Sequence, residues 1–323
     1  MESVTASCVT LQPVIKGGSV RRFYRLLSGH SESLGILMEY SLVKEENGLY
    51  SDHAAFLESL GVPVPRVLHH DSRLGLAWLE DLGNMDLHHY RQDPWPELKT
   101  RYHSVIQSIL PMWIDGLEHA QKHQLPMMEG FGSYLYTWER DYFFDQCIRR
   151  FSSHASESDR VSLHQECSSI ENLLLNAPPS LVHRDFQSQN IMIRNHQPVF
   201  IDFQGMRPGT WFYDAASLLY DPYMPLDSKQ RKECAELIHQ LTEYPFNSIS
   251  FNHILSAAAA QRLMQALGAY GYLGVELGKT EFLKYIPTAM ERLMDVASLL
   301  ELKTLPRLLD DVSPQIFDQA KIN

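Results

Sequence analysis

The spacing of apolar positions changes along the chain. Over the first eighty residues they come in short runs bounded by turn residues: Phe23-Tyr24-Arg25-Leu26-Leu27 and Gly35-Ile36-Leu37-Met38-Glu39-Tyr40 have the aromatic and aliphatic bias of strands. Lys16-Gly17-Gly18-Ser19-Val20 reads as a turn, and residues 74–83 as a strand running into a connector. Residues 51–60, SDHAAFLESL, predict one short helix with Ser51 or Asp52 as N-cap and Gly61 as its stop. Pro63 and Pro65 then favour extended backbone, because proline pushes its predecessor out of the helical region. From Pro94 onward the period lengthens to that of a helix. Residues 98–123, 134–151, 161–175, 211–220, 228–244, 251–273 and 280–301 predict helices, with Pro111 kinking or dividing the first and Pro287 interrupting the last. A β-rich run, Pro198-Val199-Phe200-Ile201, breaks the helical series. The pattern predicts an α+β protein: a small β-rich lobe over residues 1–83 and a larger, mainly helical lobe over 84–323, sharing one cleft.

At 323 residues the chain can bury a large core, and 28 basic against 39 acidic residues leave a net charge of -11. Such a surface is expected to repel nucleic acid and anionic membrane. Cys8, Cys147, Cys167 and Cys234 are scattered and make no CxxC pair, so reduced thiols in a cytoplasm fit better than a zinc site or a disulfide framework. The first residues lack a basic start followed by an apolar core, and no run approaches the roughly 20 apolar residues of a membrane helix. The expected location is cytoplasmic. Nor is there a GxxxxGK[ST] loop, which disfavours the P-loop kinases.

Candidate chemistry is concentrated in residues 181–221, LVHRDFQSQNIMIRNHQPVFIDFQGMRPGTWFYDAASLLYD. Asp185 follows His183 and Arg184, Asn190 comes five residues later, and the strand 198–201 delivers Asp202 to its end. An isolated His-Arg-Asp occurs by chance in many proteins, and so does Asp-Phe. In this order and at this spacing, two carboxylates and one amide can converge from neighbouring strand or loop ends. They suit phosphoryl transfer: one carboxylate accepts the proton of an attacking hydroxyl, while the amide and the second carboxylate hold magnesium against nucleotide phosphates.

With GSVRRFYR at 18–25, LEDLG at 79–83, HRDFQSQN at 183–190, IDFQ at 201–204, YDAASLLYDPY at 213–223 and QRLMQALGAY at 261–270, the chain resembles the aminoglycoside phosphotransferase and choline kinase superfamily over nearly its whole length. It is most similar to the bacterial branch that includes the anomeric kinases for N-acetylmuramate and N-acetylglucosamine. The resemblance implies a bilobal protein-kinase-like fold and an ATP-dependent kinase that moves the γ-phosphoryl group to a hydroxyl of a sugar or amino sugar. Asp185 would be the catalytic base, and Asn190 and Asp202 the magnesium ligands. Gly17, Gly18, Ser19 and Arg21 would lie at the phosphates, and the backbone of Leu79, Glu80, Asp81 and Leu82 at adenine. Gln187 and Arg207 are candidates for phosphate or acceptor, Glu139 and Asp141 for a polyhydroxyl acceptor, and Asp214 for bracing the catalytic loop. The partner is a small-molecule acceptor, without nucleic acid or membrane; the oligomeric state is left open.

Two departures stand out. The third residue of the Asp-Phe motif is Gln204 instead of glycine, which argues against a protein substrate. The lysine that usually touches the α- and β-phosphates from the third strand is Met38, and the helix at 51–60 offers no glutamate in its first turn. Lys16, Arg21, Arg22 or Lys44 could supply the charge. An aminoglycoside or choline-type kinase is the alternative enzyme, and a nucleotide-binding pseudokinase scaffold the alternative without catalysis.

Overall fold

The computed structural model describes residues 9–14, 21–152, 154–245 and 247–320. Five antiparallel strands form the amino-terminal sheet: β1 (Thr10–Val14), β2 (Arg22–Leu27), β3 (Ser33–Glu39), β4 (Val67–Asp71) and β5 (Leu76–Leu79), in the order β1-β2-β3-β5-β4. The register sets Met38 of β3 between Phe23 of β2 and Ala77 of β5. Gly35 lets β3 lie this close to β5. Its φ is +132°, and a Cβ there would stand 2.5 Å from the carbonyl oxygen of Leu79 and from Nε1 of Trp78. Two helices, α1 (Glu45–Gly48) and α2 (Tyr50–Ser59), connect β3 to β4. Backbone at Leu49 takes the capping position expected of Ser51 or Asp52, and no side chain caps it.

The carboxy-terminal part is helical: α3 (Trp95–Ile114), α4 (Gly116–Lys122), α5 (Ser133–Phe143), α6 (Arg149–Phe151), α7 (Glu157–Leu175), α8 (Phe212–Leu219), α9 (Ser228–Leu241), α10 (Ser248–Gly271), α11 (Ile286–Leu299) and α12 (Thr304–Ala320). Two small hairpin-like sheets interrupt it. One pairs β6 (Ser180–Val182) with β9 (Arg207–Gly209), the other β7 (Ile191–Arg194) with β8 (Gln197–Phe200). The prolines act differently from expectation. Pro111 sits inside α3, and the break comes only at Asp115, whose N–H still bonds to the Pro111 carbonyl. Pro287 opens α11, where its missing N–H leaves no hydrogen bond unmade, instead of interrupting a helix. The stretch 134–151 is α5 and α6 joined by a π-helical turn, Phe144–Ile148. No helix among the described residues is long and apolar enough to cross a membrane.

Helix α10 runs through the middle of the helical part. Ala257, Ala258, Ala259 and Ala260 are fully buried, and a Cβ on Gly271 would meet the Gln146 carbonyl oxygen at 1.9 Å. Small residues therefore let α10 press against the neighbouring chain, which fixes the height of the one arginine in its buried stretch, Arg262.

Candidate active site

The loop between β6 and β7 carries residues 183–190, and a buried carboxylate on α8 sets its shape. Asp214 accepts the N–H groups of His183 at 2.7 Å and Arg184 at 2.9 Å, and Nε1–H of Trp113 at 3.1 Å. Burial pushes its carboxyl up to about 7 despite these donors. Just past the end of the same helix, Asp221 accepts the N–H of Ser188 at 2.8 Å and of Tyr223 at 3.0 Å. The two carboxylates, one within the helix and one just beyond it, hold the loop at its two ends. Beneath it, Trp113, Phe186 and Phe200 pack as aromatic neighbours. Arg184 at φ 79° is the strained residue that this framework holds in place.

The loop presents Asp185 and Asn190 to a cleft of about 830 Å³ between the sheet and the helices. Asn190 turns its amide nitrogen to Asp185, 2.9 Å from the backbone oxygen and 3.3 Å from Oδ2. This aims the amide oxygen away from Asp185. The other carboxylate oxygen, Oδ1, accepts from the Arg262 guanidinium at 2.9 Å. Arg262 is buried and also bonds to Ser217 at 3.1 Å and to Gln265.

Asp202 enters the same cleft from the end of β8. The two segments are tied by the N–H of Ile201 on the Asn190 carbonyl at 3.0 Å and by Nε2 of His183 on the Ile201 carbonyl at 3.1 Å. Burial holds the His183 imidazole below its ordinary value, so it is neutral. Asp202 adopts φ 68°, a left-handed conformation that aspartate tolerates better than most residues. Arg21 and Gln204 both bond to its Oδ1, the latter at 2.6 Å. Burial alone would raise this carboxyl, but Arg21 and then Gln204 outweigh it and hold it below the usual range. Gln204 thus serves Asp202 directly, where a glycine could not.

An ionised carboxylate and an amide oxygen on joined segments are hard oxygen donors of the kind magnesium takes alongside phosphate oxygens and water. The donor set fits, and Asp202 and Asn190 are the residues that would hold such an ion. Above it, Val14, Phe23 and Ile36 of the sheet face Met192 and Ile201 across the cleft, an apolar slot that suits a planar base. Glu80 and Asp81 line its edge, but their side chains are committed. Glu80 pairs with Arg66 and Arg194, and Asp81 with Arg25 at 2.6 Å. The N–H of Leu82 has no partner among the described residues.

Of the residues singled out in the sequence, Arg21, Leu79, Glu80, Asp81, Leu82, Asp185, Gln187, Asn190 and Asp202 line the cleft. Gly17, Gly18 and Ser19 lie outside the described residues, as does Lys16. Glu139, Asp141 and Arg207 do not line it. Glu139 is fully buried, where it accepts from Tyr213 Oη at 2.7 Å and Gln261 Nε2 at 2.9 Å, and burial raises its carboxyl. Asp141 is bound to Arg160 at 2.7 Å and His164 at 3.0 Å. Arg207 is buried with Nε–H on the Gly205 carbonyl, and burial pushes its guanidinium down to about 10. A glutamate does occupy the region where none was expected: Glu46, on α1 ahead of the anticipated helix, lines the cleft 3.8 Å from Arg184.

Arg262 and Asp221 escaped sequence reasoning as functional positions, although both carried a signal. An arginine within AAAAQRLMQAL is a charge inside an apolar helix, which requires a buried partner. The two aspartates of YDAASLLYD bracket a short helical run that is apolar except for Ser217.

A model of the phosphotransferase enzyme family matches residues 11–245. Relatives similar in sequence include an N-acetylmuramate/N-acetylglucosamine kinase of Pseudomonas aeruginosa, 23% identical over 306 residues that span 90% of this chain and 87% of the relative. A protein of the same name from Neisseria meningitidis is 27% identical over 165 residues, 50% of this chain and 48% of the relative. Among solved structures, the choline kinase LicA from Streptococcus pneumoniae superposes with a TM-score of 0.60 at 10% identity, over 89% of this chain and 94% of that one. A GDP complex of an aminoglycoside 2'-phosphotransferase gives 0.60 at 13% identity, over 90% and 91%. At such identities the solved structures establish the fold alone, and it is the protein-kinase-like fold expected from the sequence.

Proposed function

Because this chain belongs to the phosphotransferase enzyme family, we propose that it transfers the γ-phosphoryl group of ATP to a hydroxyl of a neutral or anionic amino sugar. The observation that carries this reading is the arrangement of Asp185 beside Asn190, with Asp202 on the adjoining segment, all opening into one cleft. Asp202 and Asn190 would hold magnesium, which neutralises phosphate charge as the transferred group develops it. Asp185 has one oxygen bound to Arg262 and the other, among the described residues, met by the Asn190 amide at 3.3 Å, which supports Oδ2 as the atom that accepts a hydroxyl proton. Apolar residues of the sheet and of β7 would enclose the base and keep water from it.

The wall beyond Asp185 supports this acceptor class. It is built by Arg262, Gln265, Tyr223, Tyr270 and Phe282, with no carboxylate on α10 to meet a cation. A polycationic aminoglycoside would face a guanidinium there. A pyranose would find hydrogen-bonding groups and aromatic surfaces, and the carboxylate of a muramate-type sugar would find positive charge. The name of the Pseudomonas relative supports the same class. The three aromatic residues favour a second reading, a choline-type kinase, because rings can cage a quaternary ammonium; Arg262 beside them opposes it.

The test is ADP release from magnesium and ATP with N-acetylglucosamine, N-acetylmuramate, kanamycin-type aminoglycosides, choline and homoserine. Stimulation by an amino sugar alone is expected. Stimulation by choline or an aminoglycoside would replace the acceptor, and stimulation by none would favour a non-catalytic scaffold.

A further inference from the structure

The usual seat of the phosphate-binding cation is filled by a buried thioether. Met38 lies on β3, 1% exposed, opposite Phe23 and Ala77, and lines the cleft. A nucleotide triphosphate carries about four negative charges, and one magnesium ion leaves a net charge that needs a further cation. Among the described residues, the arginines and lysines of the cleft wall are Arg21, Arg25, Lys44 and Arg262. Arg25 is held by Asp81 at 2.6 and 3.1 Å and by Asn84 at 2.8 Å, far along the connector side. Arg262 is on the acceptor wall, bound to Asp185. Lys44 is solvent-exposed ahead of α1.

Arg21 differs from all three. Side chains alternate along a strand, so residues 23 and 25 share a face, and Arg21, at the bend just ahead of β2, lines the cleft with them. Arg21 is two positions before Phe23, the cross-strand partner of Met38. Its guanidinium is bound to the Oδ1 of Asp202, with the side chain 11% exposed. Arg21 thus stands beside the carboxylate that would hold the metal, close to where nucleotide phosphates would lie.

We infer that Arg21 carries the nucleotide-phosphate charge that β3 lacks: the cation has moved from position 38 to position 21, just ahead of the neighbouring strand and lining the same cleft. In the nucleotide-free protein Arg21 neutralises Asp202. On binding, the planar fork of Arg21 turns to phosphate oxygens, which it can grip at two points, while Asp202 takes the metal. This inference rests on the kinase reading above and assigns the residue that replaces the missing lysine.

Calorimetric titration separates the two claims without turnover. Wild-type protein is titrated with a non-hydrolysable ATP analogue plus magnesium, and with adenosine. If the wild type binds neither, the kinase reading fails. If it binds, Arg21→Ala is expected to raise the analogue's Kd about tenfold while adenosine is unmoved, with Arg21→Lys in between and Lys44→Ala within threefold of wild type. Recovery of affinity in Arg21→Ala/Met38→Lys would identify the charge itself as the cause, since a lysine stem can lie along apolar surface with its ammonium in the cleft. A rise under threefold in Arg21→Ala, or an equal rise for adenosine, overturns the inference and leaves the kinase reading standing.

Discussion

Asp202 keeps its charge against burial because Arg21 and Gln204 favour it. Arg21 and Gln204 share one oxygen, and the left-handed backbone at φ 68° aims the group into the cleft. Asp202→Asn keeps the size and one acceptor but removes the charge that a divalent ion requires. Loss of an electrostatic group at developing charge typically lowers kcat by about 10²–10³, and at least that loss is expected here. Circular dichroism should stay close to wild type, while the thermal midpoint falls modestly with loss of the ion pair to Arg21. Retained turnover at ordinary magnesium would contradict the assignment. At this scale the sequence reveals what is local. Asp185, Asn190 and Asp202 lie within eighteen residues and their spacing implies convergence. Arg262 meets Asp185 across 77 positions, and Arg21 meets Asp202 across 181, and no periodicity reports such a pairing. Glu139 shows the reverse error: an acidic residue in an aromatic stretch suggested a ligand-facing group, yet Tyr213 and Gln261 satisfy it in the interior.

At the scale of the element, α8 holds the catalytic loop through Asp214. Its carboxyl has a folded-state pKa of about 7, against about 3.9 for an unfolded chain. Between these values the folded state binds more protons than the unfolded state, so stability from this group falls as pH rises, and is fully present only below the unfolded pKa. The hydrogen bonds from His183, Arg184 and Trp113 need the acceptor and are best served by the ionised form. Activity and stability should therefore move in opposite directions through this window. Asp214→Asn resembles the protonated form in charge but places an amide NH2 against backbone donors, which leaves a buried donor unmatched at about 1–3 kcal/mol. The wild type's stability advantage over Asp214→Asn is expected to shrink as pH rises from 4 to 7 and to level off above about 8. Denaturant midpoints of both proteins at successive pH values test this, and an advantage that grows with pH would refute it. Elements with a regular apolar period were legible, which is why α3, α7, α9 and α10 lie close to their expected places. The proline effects were not, because a proline breaks, bends or starts a helix according to whether the N–H it lacks had a partner. Helix α12 also went unread.

The whole molecule is held across its cleft by a few specific ties. The Tyr50 ring of α2 rests 4.7 Å from that of Phe203 next to Asp202, the N–H of Phe200 bonds to the Pro63 carbonyl, and Nε2 of His53 meets the Pro126 carbonyl at 2.8 Å. Arg21, just ahead of β2, and Asp202, just past β8, pair across the cleft directly. With these ties the two parts should unfold together, and a ligand seated between them should stabilise both. For magnesium plus a non-hydrolysable ATP analogue at one hundred times Kd, linkage gives about 2.7 kcal/mol. At about 2–4 °C per kcal/mol for chains of 150–250 residues, and somewhat less for a longer one, this corresponds to a rise of about 4–8 °C in a single transition. Magnesium alone should move the midpoint little, since two protein oxygens bind it weakly without phosphates. In Asp202→Asn the increment that magnesium adds to the analogue should vanish, while the part due to the base in its apolar slot persists. Differential scanning calorimetry decides the matter: two separate transitions, of which only one responds to ligand, would mean that the parts are not coupled through the cleft. An equal shift with adenosine would mean that phosphate and metal contribute nothing to closing it.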